Sequence, residues 1–187
     1  MENKVIKCAA ESHYVEDPYL PASVIIGKDE CPGVHFIGYY RGDVGLVELQ
    51  TVRGEGTVCQ VTITACDWFE PVEGRMPVPD AVEGLYVAGD GRRIETGSLF
   101  ATCYDDGVDV QLTDKIPMQY VRSGDVVLGI AADGEVCQVL LANLAPEEAG
   151  HTRALLQEDW DYLHTKALRA ELPQTGAVSI EAAPLTC

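Results

Sequence analysis

Short segments that alternate apolar and polar side chains recur along the chain, and they restrict its fold more than any other feature. The clearest of these segments is residues 58–66. One face of it consists of Cys59, Val61, Ile63 and Ala65, and the other consists of polar residues. Successive strand residues point to opposite sides of a sheet, so this period predicts half-buried β-strands. The less regular segments are residues 22–27, 35–40, 46–52, 85–88, 98–104, 108–112, 126–131 and 136–141.

Asp-Gly pairs separate several of these segments, at Asp90-Gly91, Asp106-Gly107 and Asp133-Gly134. Both residues of such a pair tolerate the positive φ angles of tight turns between antiparallel strands. The pattern therefore predicts a mainly β fold of antiparallel meanders, arranged as a sandwich or in a barrel-like way.

The hydrophobic period changes after residue 143, where apolar and small residues recur at spacings of three and four. This spacing predicts one long C-terminal α-helix over residues 145–172, with Pro146 in its first turn and Pro173 after its end. Its apolar face must pack on the protein's own sheet, which we favour, or on a neighbouring subunit. The candidate interaction residues on that face are Leu156, Trp160 and Leu163.

Two parts of the β region resemble each other. Residues 40–44 and 54–61 have a counterpart in residues 120–126 and 134–139, because both copies contain a tyrosine, an arginine and a Gly-Asp pair followed by Val-Cys-Gln-Val. Such an echo indicates an internal duplication of a β unit. The alternative is that any two meanders share Gly-Asp turns and valine-rich strands.

The echo suggests a division of the chain into segments. We expect a first β unit at residues 1–70, a crossing loop at 71–84, a second β unit at 85–144, the helix at 145–172 and a tail at 173–187. The loop is expected because three prolines and a glycine interrupt all periodicity over residues 71–79. A single domain containing both units is the alternative.

The composition is acidic, with 30 Asp and Glu against 13 Lys and Arg and a formal net charge of −17. Such a charge repels phosphates and anionic lipids, so we expect neither direct nucleic-acid binding nor membrane association. An acidic inhibitor that mimics nucleic acid remains an alternative function. The N-terminal residues lack a basic segment followed by an apolar one, which predicts a cytoplasmic location.

Seven cysteines form an odd set without a C-x-x-C pair, which predicts neither a disulfide framework nor a zinc site. Buried free thiols are the expected role of these cysteines.

Few residue patterns suggest catalysis. The acidic loop with Asp105, Asp106 and Asp109 is a weak metal candidate, because it lacks the further ligands of a calcium loop. The four histidines, His13, His35, His151 and His164, lie outside any nucleophile signature. We therefore expect no cofactor and no catalytic site. The alternative is a ligand-binding or enzymatic domain with a pocket lined by His35, Asp43 or the acids of residues 105–109.

One part of the chain, residues 85–141, resembles the head decoration and cement proteins of tailed phages. Two segments carry the resemblance: Ile94-Glu95-Thr96-Gly97-Ser98-Leu99-Phe100-Ala101 and Asp125-Val126-Val127-Leu128-Gly129-Ile130-Ala131. The long C-terminal helix departs from that family. The resemblance implies a non-enzymatic virion component, assembled in the cytoplasm, that binds protein subunits as a homo-oligomer or in a larger assembly.

Overall fold

The protein is mainly β with a single C-terminal helix, as predicted. The structure, a computed structural model, describes residues 5–27, 34–42 and 45–171, with helix side chains as far as residue 165. Asp43 and the tail at residues 173–187 lie outside this part of the chain. The elements are β1 (Val5–Ile6), β2 (Ser12–Tyr14), β3 (Ala22–Ile26), β4 (Val34–Arg41), β5 (Gly45–Val52), β6 (Val58–Ala65), β7 (Trp68–Pro71), β8 (Val82–Glu83), β9 (Leu85–Tyr86), β10 (Arg92–Glu95), β11 (Phe100–Cys103), β12 (Val108–Gln111), β13 (Gln119–Ser123), β14 (Val126–Ile130), β15 (Val136–Leu141) and α1 (Pro146–Glu171).

Two large sheets form a sandwich-like arrangement around one shared core. The first sheet has the order β10-β4-β5-β6-β3-β2, and the second has the order β7-β11-β12-β15-β14-β13-β8. On β5 the inward residues Val47, Leu49 and Thr51 are buried, whereas the residues between them are partly exposed. The alternation in the sequence thus reflects one face on the core and one face directed away from it.

The two sheets share a strand order. The series β4-β5-β6-β3-β2 in the first sheet corresponds to β13-β14-β15-β12-β11 in the second. A parallel strand flanks each series at the same edge, β10 beside β4 and β8 beside β13. The two echoed sequence segments therefore form meanders of the same topology, as a duplication would leave.

Bulges change the phase of the clearest predicted strand. On β6 the pairing register with β5 shifts at Cys59 and again at Thr64. As a result Val58 and Cys66 join Val61 and Ile63 in the core, in place of Cys59 and Ala65. A bulge adds one residue to a strand, so the residues beyond it exchange faces.

The helix packs onto the protein's own sheets. Leu156 is fully buried in the shared core and Trp160 packs partly against that core, while Leu163 is half-buried. Thr152 Oγ1 donates a 2.7 Å hydrogen bond to the carbonyl of Pro21, which ties the helix to the segment before β3.

The segment between β7 and β8 crosses the outer face of the second sheet. Met76 packs there against Val127, Leu140 and Ala142. The apolar side chains that point outward from β14 and β15 are thus covered by this segment and buried.

Candidate functional site

The acidic loop fastens the crossing segment to the second sheet. Asp105 Oδ2 accepts a 2.8 Å hydrogen bond from the backbone N–H of Gly74, and Asp106 Oδ1 accepts one of the same length from Met76. Arg153 lies 3.3 Å from Asp105, so the helix contacts the loop as well. These carboxylates are engaged in contacts within the fold.

Asp109 lies apart from them, on β12. Both of its oxygens accept hydrogen bonds from Gln138 Nε2, at 2.7 and 2.9 Å. Burial raises the pKa of this carboxyl, and the bond from Gln138 partly offsets that effect. Within the described parts of the chain, no three His, Cys, Asp or Glu side chains are grouped as metal ligands.

The four candidate histidines have different environments. His13 is exposed on β2 and His35 is half-buried on β4. His151 Nε2 lies 3.0 Å from the carbonyl of Asp17 and 3.1 Å from that of Leu20. The His164 ring lies 4.0 Å from the Trp160 ring, in an aromatic group at the edge of the second sheet. Two of the four thus hold elements together.

Two adjoining clefts lie where the start of α1 meets β2, with volumes of ≈ 290 and ≈ 680 Å³. Tyr14 and Glu148 line both clefts, and His151 lines the larger. Tyr14 donates a hydrogen bond to the carbonyl of Pro21, and Glu148 accepts one from the backbone N–H of Ala145. The histidine and acids expected to line a pocket, His35 and residues 105–109, are not among the residues that line these clefts. Sequence reasoning missed Tyr14, which no motif marks.

The free thiols are mostly buried, as predicted: Cys66, Cys103 and Cys137 are buried, whereas Cys8 is exposed. Burial raises the pKa of the Cys66 thiol far above its ordinary range and that of Cys103 to about 12. These groups therefore stay protonated and unreactive near neutral pH. The prediction is wrong for Cys59, which is disulfide-bonded.

The outer face of the first sheet presents a broad, charge-poor surface. Among the described residues that point outward from its strands, only three are ionised, Glu48, Arg93 and Glu95, in a chain with a net charge of −17. We call this surface the first-sheet face, and its residues are His13, Ser23, Ile25, Val34, Phe36, Gly38, Tyr40, Leu46, Glu48, Gln50, Val52, Gln60, Thr62, Thr64, Arg93 and Glu95.

A protruding side chain and a depression lie on this face. Phe36 is 46% exposed. Tyr40, Leu46 and Arg93 line a shallow depression of ≈ 390 Å³. Each β4 residue directed outward is separated from the next by one inward residue, so Phe36 and Tyr40 share the face with Gly38 between them.

The depression is built by stacking. The Tyr40 ring lies over Gly38, where an added Cβ would collide with a ring carbon, so a larger residue there would displace the ring. The Arg93 guanidinium lies 4.0 Å from the centre of the same ring and forms an ion pair with Glu95 at 2.7 Å. A cation held over an aromatic ring is attracted by the charge distribution of the ring.

No protein-family model matches the chain, and no curated protein sequence matches it either. The resemblance of residues 85–141 to phage decoration proteins therefore stays a prediction. Of the helical residues that the structure describes, no stretch is long and apolar enough to cross a membrane.

Proposed function

We propose that this chain is a non-enzymatic structural protein that binds other protein subunits. The observation that carries the proposal is the first-sheet face, which combines a half-exposed phenylalanine with a depression lined by tyrosine and arginine. Protein interfaces are enriched in aromatic residues and arginine, and their centres are depleted of other charged groups. The first-sheet face has this composition.

A difference between the outer faces of the two sheets supports this assignment. The crossing segment covers the outer face of the second sheet, where Val127 and Leu140 are buried. The corresponding positions of the first sheet, Glu48 and Thr62, are polar. A polar face with a few aromatic residues is typical of subunits that fold alone and then associate.

The candidate reactive groups also favour a binding role. Asp105 and Asp106 accept hydrogen bonds from the crossing segment, and His151 lies against two backbone carbonyls. The buried thiols carry raised pKa values. The two acids and the histidine thus have contacts within the fold, and the buried thiols are protonated near neutral pH.

We further propose that the assembly is a virion, in which the chain acts as a decoration or cement-like protein of the capsid. This part rests on the resemblance of residues 94–101 and 125–131 to tailed-phage proteins. Residues 126–130 form β14 at the centre of the second meander, whereas residues 94–95 belong to β10 in the first sheet.

Mass photometry of the purified protein, together with its cosedimentation with tailed-phage capsids, tests the proposal. We expect species larger than the monomer, or chains that cosediment with capsid particles. A monomeric protein of similar charge that belongs to no capsid serves as the control. A strict monomer that joins no particle at any concentration would contradict the proposal.

A further inference from the structure

We infer that the first-sheet face binds a second copy of this chain in a two-fold symmetric dimer. This inference rests on the proposed function, since it names the partner of the same surface. The occupant is a second copy because the face contains both halves of a self-complementary contact.

The protruding half is Phe36, and the receiving half is the depression beside Tyr40, Leu46 and Arg93. Phe36 and Tyr40 are four residues apart on one strand, a separation of about 13 Å. A two-fold axis that lies between the two faces, perpendicular to β4 and above Gly38, would exchange these two positions between the copies. Phe36 of each copy would then enter the depression of the other, as an isologous interface requires.

The depression suits an aromatic guest. Arg93 already lies over one ring, that of Tyr40, at 4.0 Å. Phe36 of the second copy would cover the opposite side of the guanidinium, so that Arg93 lies between two rings. Arginine and aromatic residues in enclosed pockets dominate the binding energy of many interfaces.

The size of the face is close to what a stable dimer needs. The six strands of the first sheet span about 29 Å, and the eight residues of β4 span about 26 Å. Three of the strands are shorter, so the 36 strand residues of the face cover roughly 570 Å². The smallest stable interfaces bury about 600 Å² on each partner. Two sheets also pack readily face to face.

The small number of charges on this face favours self-association through it. Two chains of net charge −17 repel each other, and the repulsion is smallest where carboxylates are few. Arg93 pairs with Glu95, so Glu48 is the one ionised residue of the face that lies outside this pair. Glu48 is opposite Gly38 on β5 and Arg93 is opposite it on β10, so the proposed axis places each of them near its counterpart in the second copy. Repulsion within each like-charged pair predicts a dimer that salt strengthens.

Sedimentation equilibrium of the full chain tests the dimer. Phe36→Asp is expected to raise the dimer Kd roughly 30-fold or more, because it puts a charge in the depression. Tyr19→Asp is the matched control, since Tyr19 is an 87% exposed aromatic residue outside the first-sheet face. We expect its Kd to equal that of the wild type.

Glu48→Gln provides a second test that does not depend on the folding of the first variant. It removes one of the two like-charge contacts at the axis and keeps the shape, so we expect a lower Kd and a weaker dependence on salt. Thermal melts of all variants identify any that are unfolded.

The outcomes separate the two proposals. A wild-type oligomer that Phe36→Asp, when folded, leaves intact would overturn the dimer but retain the structural function. A wild-type monomer that binds capsids but no second copy would also overturn the dimer and retain the structural function. A strict monomer that binds no particle would overturn both.

Discussion

Gln60 and Gln138 make the same hydrogen bond at the same place in the two sheets. Gln60 Nε2 donates to Ser23 Oγ at 2.8 Å, and Gln138 Nε2 donates to Asp109 Oδ1 at 2.7 Å. Each glutamine follows a cysteine at a bulge, where the pairing with the preceding strand shifts by one residue. A shared strand order, bulge and side-chain bond support a common origin of the two meanders.

Replacing these two glutamines should have unequal effects. Gln138→Ala removes the partner of a largely buried carboxylate and of the Tyr120 hydroxyl, so we expect a loss of about 1.5–3 kcal/mol in the free energy of unfolding. Gln60→Ala removes a partner of the Ser23 hydroxyl, and that hydroxyl also bonds to Thr62. The free energy of unfolding should therefore fall by about 0.5–1.5 kcal/mol. Urea unfolding of both variants measures the difference. Equal losses would contradict it.

The long strands and the helix could be predicted from the sequence because each has enough residues to show a period. Strands such as β8 and β9 have two residues each, and β10 has four, so alternation cannot identify their partners. The parallel pairing of β10 with β4 joins residues that are distant in sequence. The bulge at Cys59 was also hidden, since it changes the register without changing the residue pattern.

The candidate site was less predictable than the fold. Asp105, Asp106 and His151 attract attention by residue type, but their roles depend on backbone groups of distant segments. The depression on the first-sheet face requires Arg93 to lie over Tyr40, and that contact follows from the β10 and β4 pairing. No local pattern in the sequence contains this information.

Two buried tyrosines should stabilise the turn between β14 and β15. Tyr39 Oη donates to the carbonyl of Val136 and Tyr86 Oη donates to that of Gly134, each at 2.6 Å. Phenylalanine at either position would leave a buried carbonyl without its partner, at a cost of about 1–3 kcal/mol. A double-mutant cycle measured by chemical unfolding checks this. Because both bonds restrain one turn, the two losses should not be additive.

Asp109 should make the protein less stable as the pH rises. Burial raises the native pKa of this carboxyl above its ordinary value of 3.8, so the native state binds the proton more tightly than the unfolded state does. The destabilisation caused by the buried charge of Asp109 is absent below pH 3.8 and is complete above the native pKa. Asp109→Asn keeps an acceptor for Gln138 and removes the charge. Its melting temperature relative to the wild type should therefore be higher at pH 7 than at pH 3.5.

Asp133→Asn is the control of opposite sign. The hydrogen bond from Lys115 lowers the pKa of Asp133, so this carboxylate contributes stability above pH 3.8 that is lost as the pH falls through its native pKa. The variant should therefore melt below the wild type at pH 7 and approach it in acid. The same direction of change for both variants would refute the assignment for Asp109.

The helix face should contribute to the stability of the monomer more than to any interface. Leu156 is fully buried in the shared core, so Leu156→Ala should lower the free energy of unfolding by about 2–5 kcal/mol. Leu163 is only half-buried on the same helix, and Leu163→Ala should cost clearly less. Unfolding measured at several protein concentrations separates the two roles, because a loss inside one chain does not depend on concentration. A Leu156→Ala loss that shrank on dilution would instead place this face in a subunit contact.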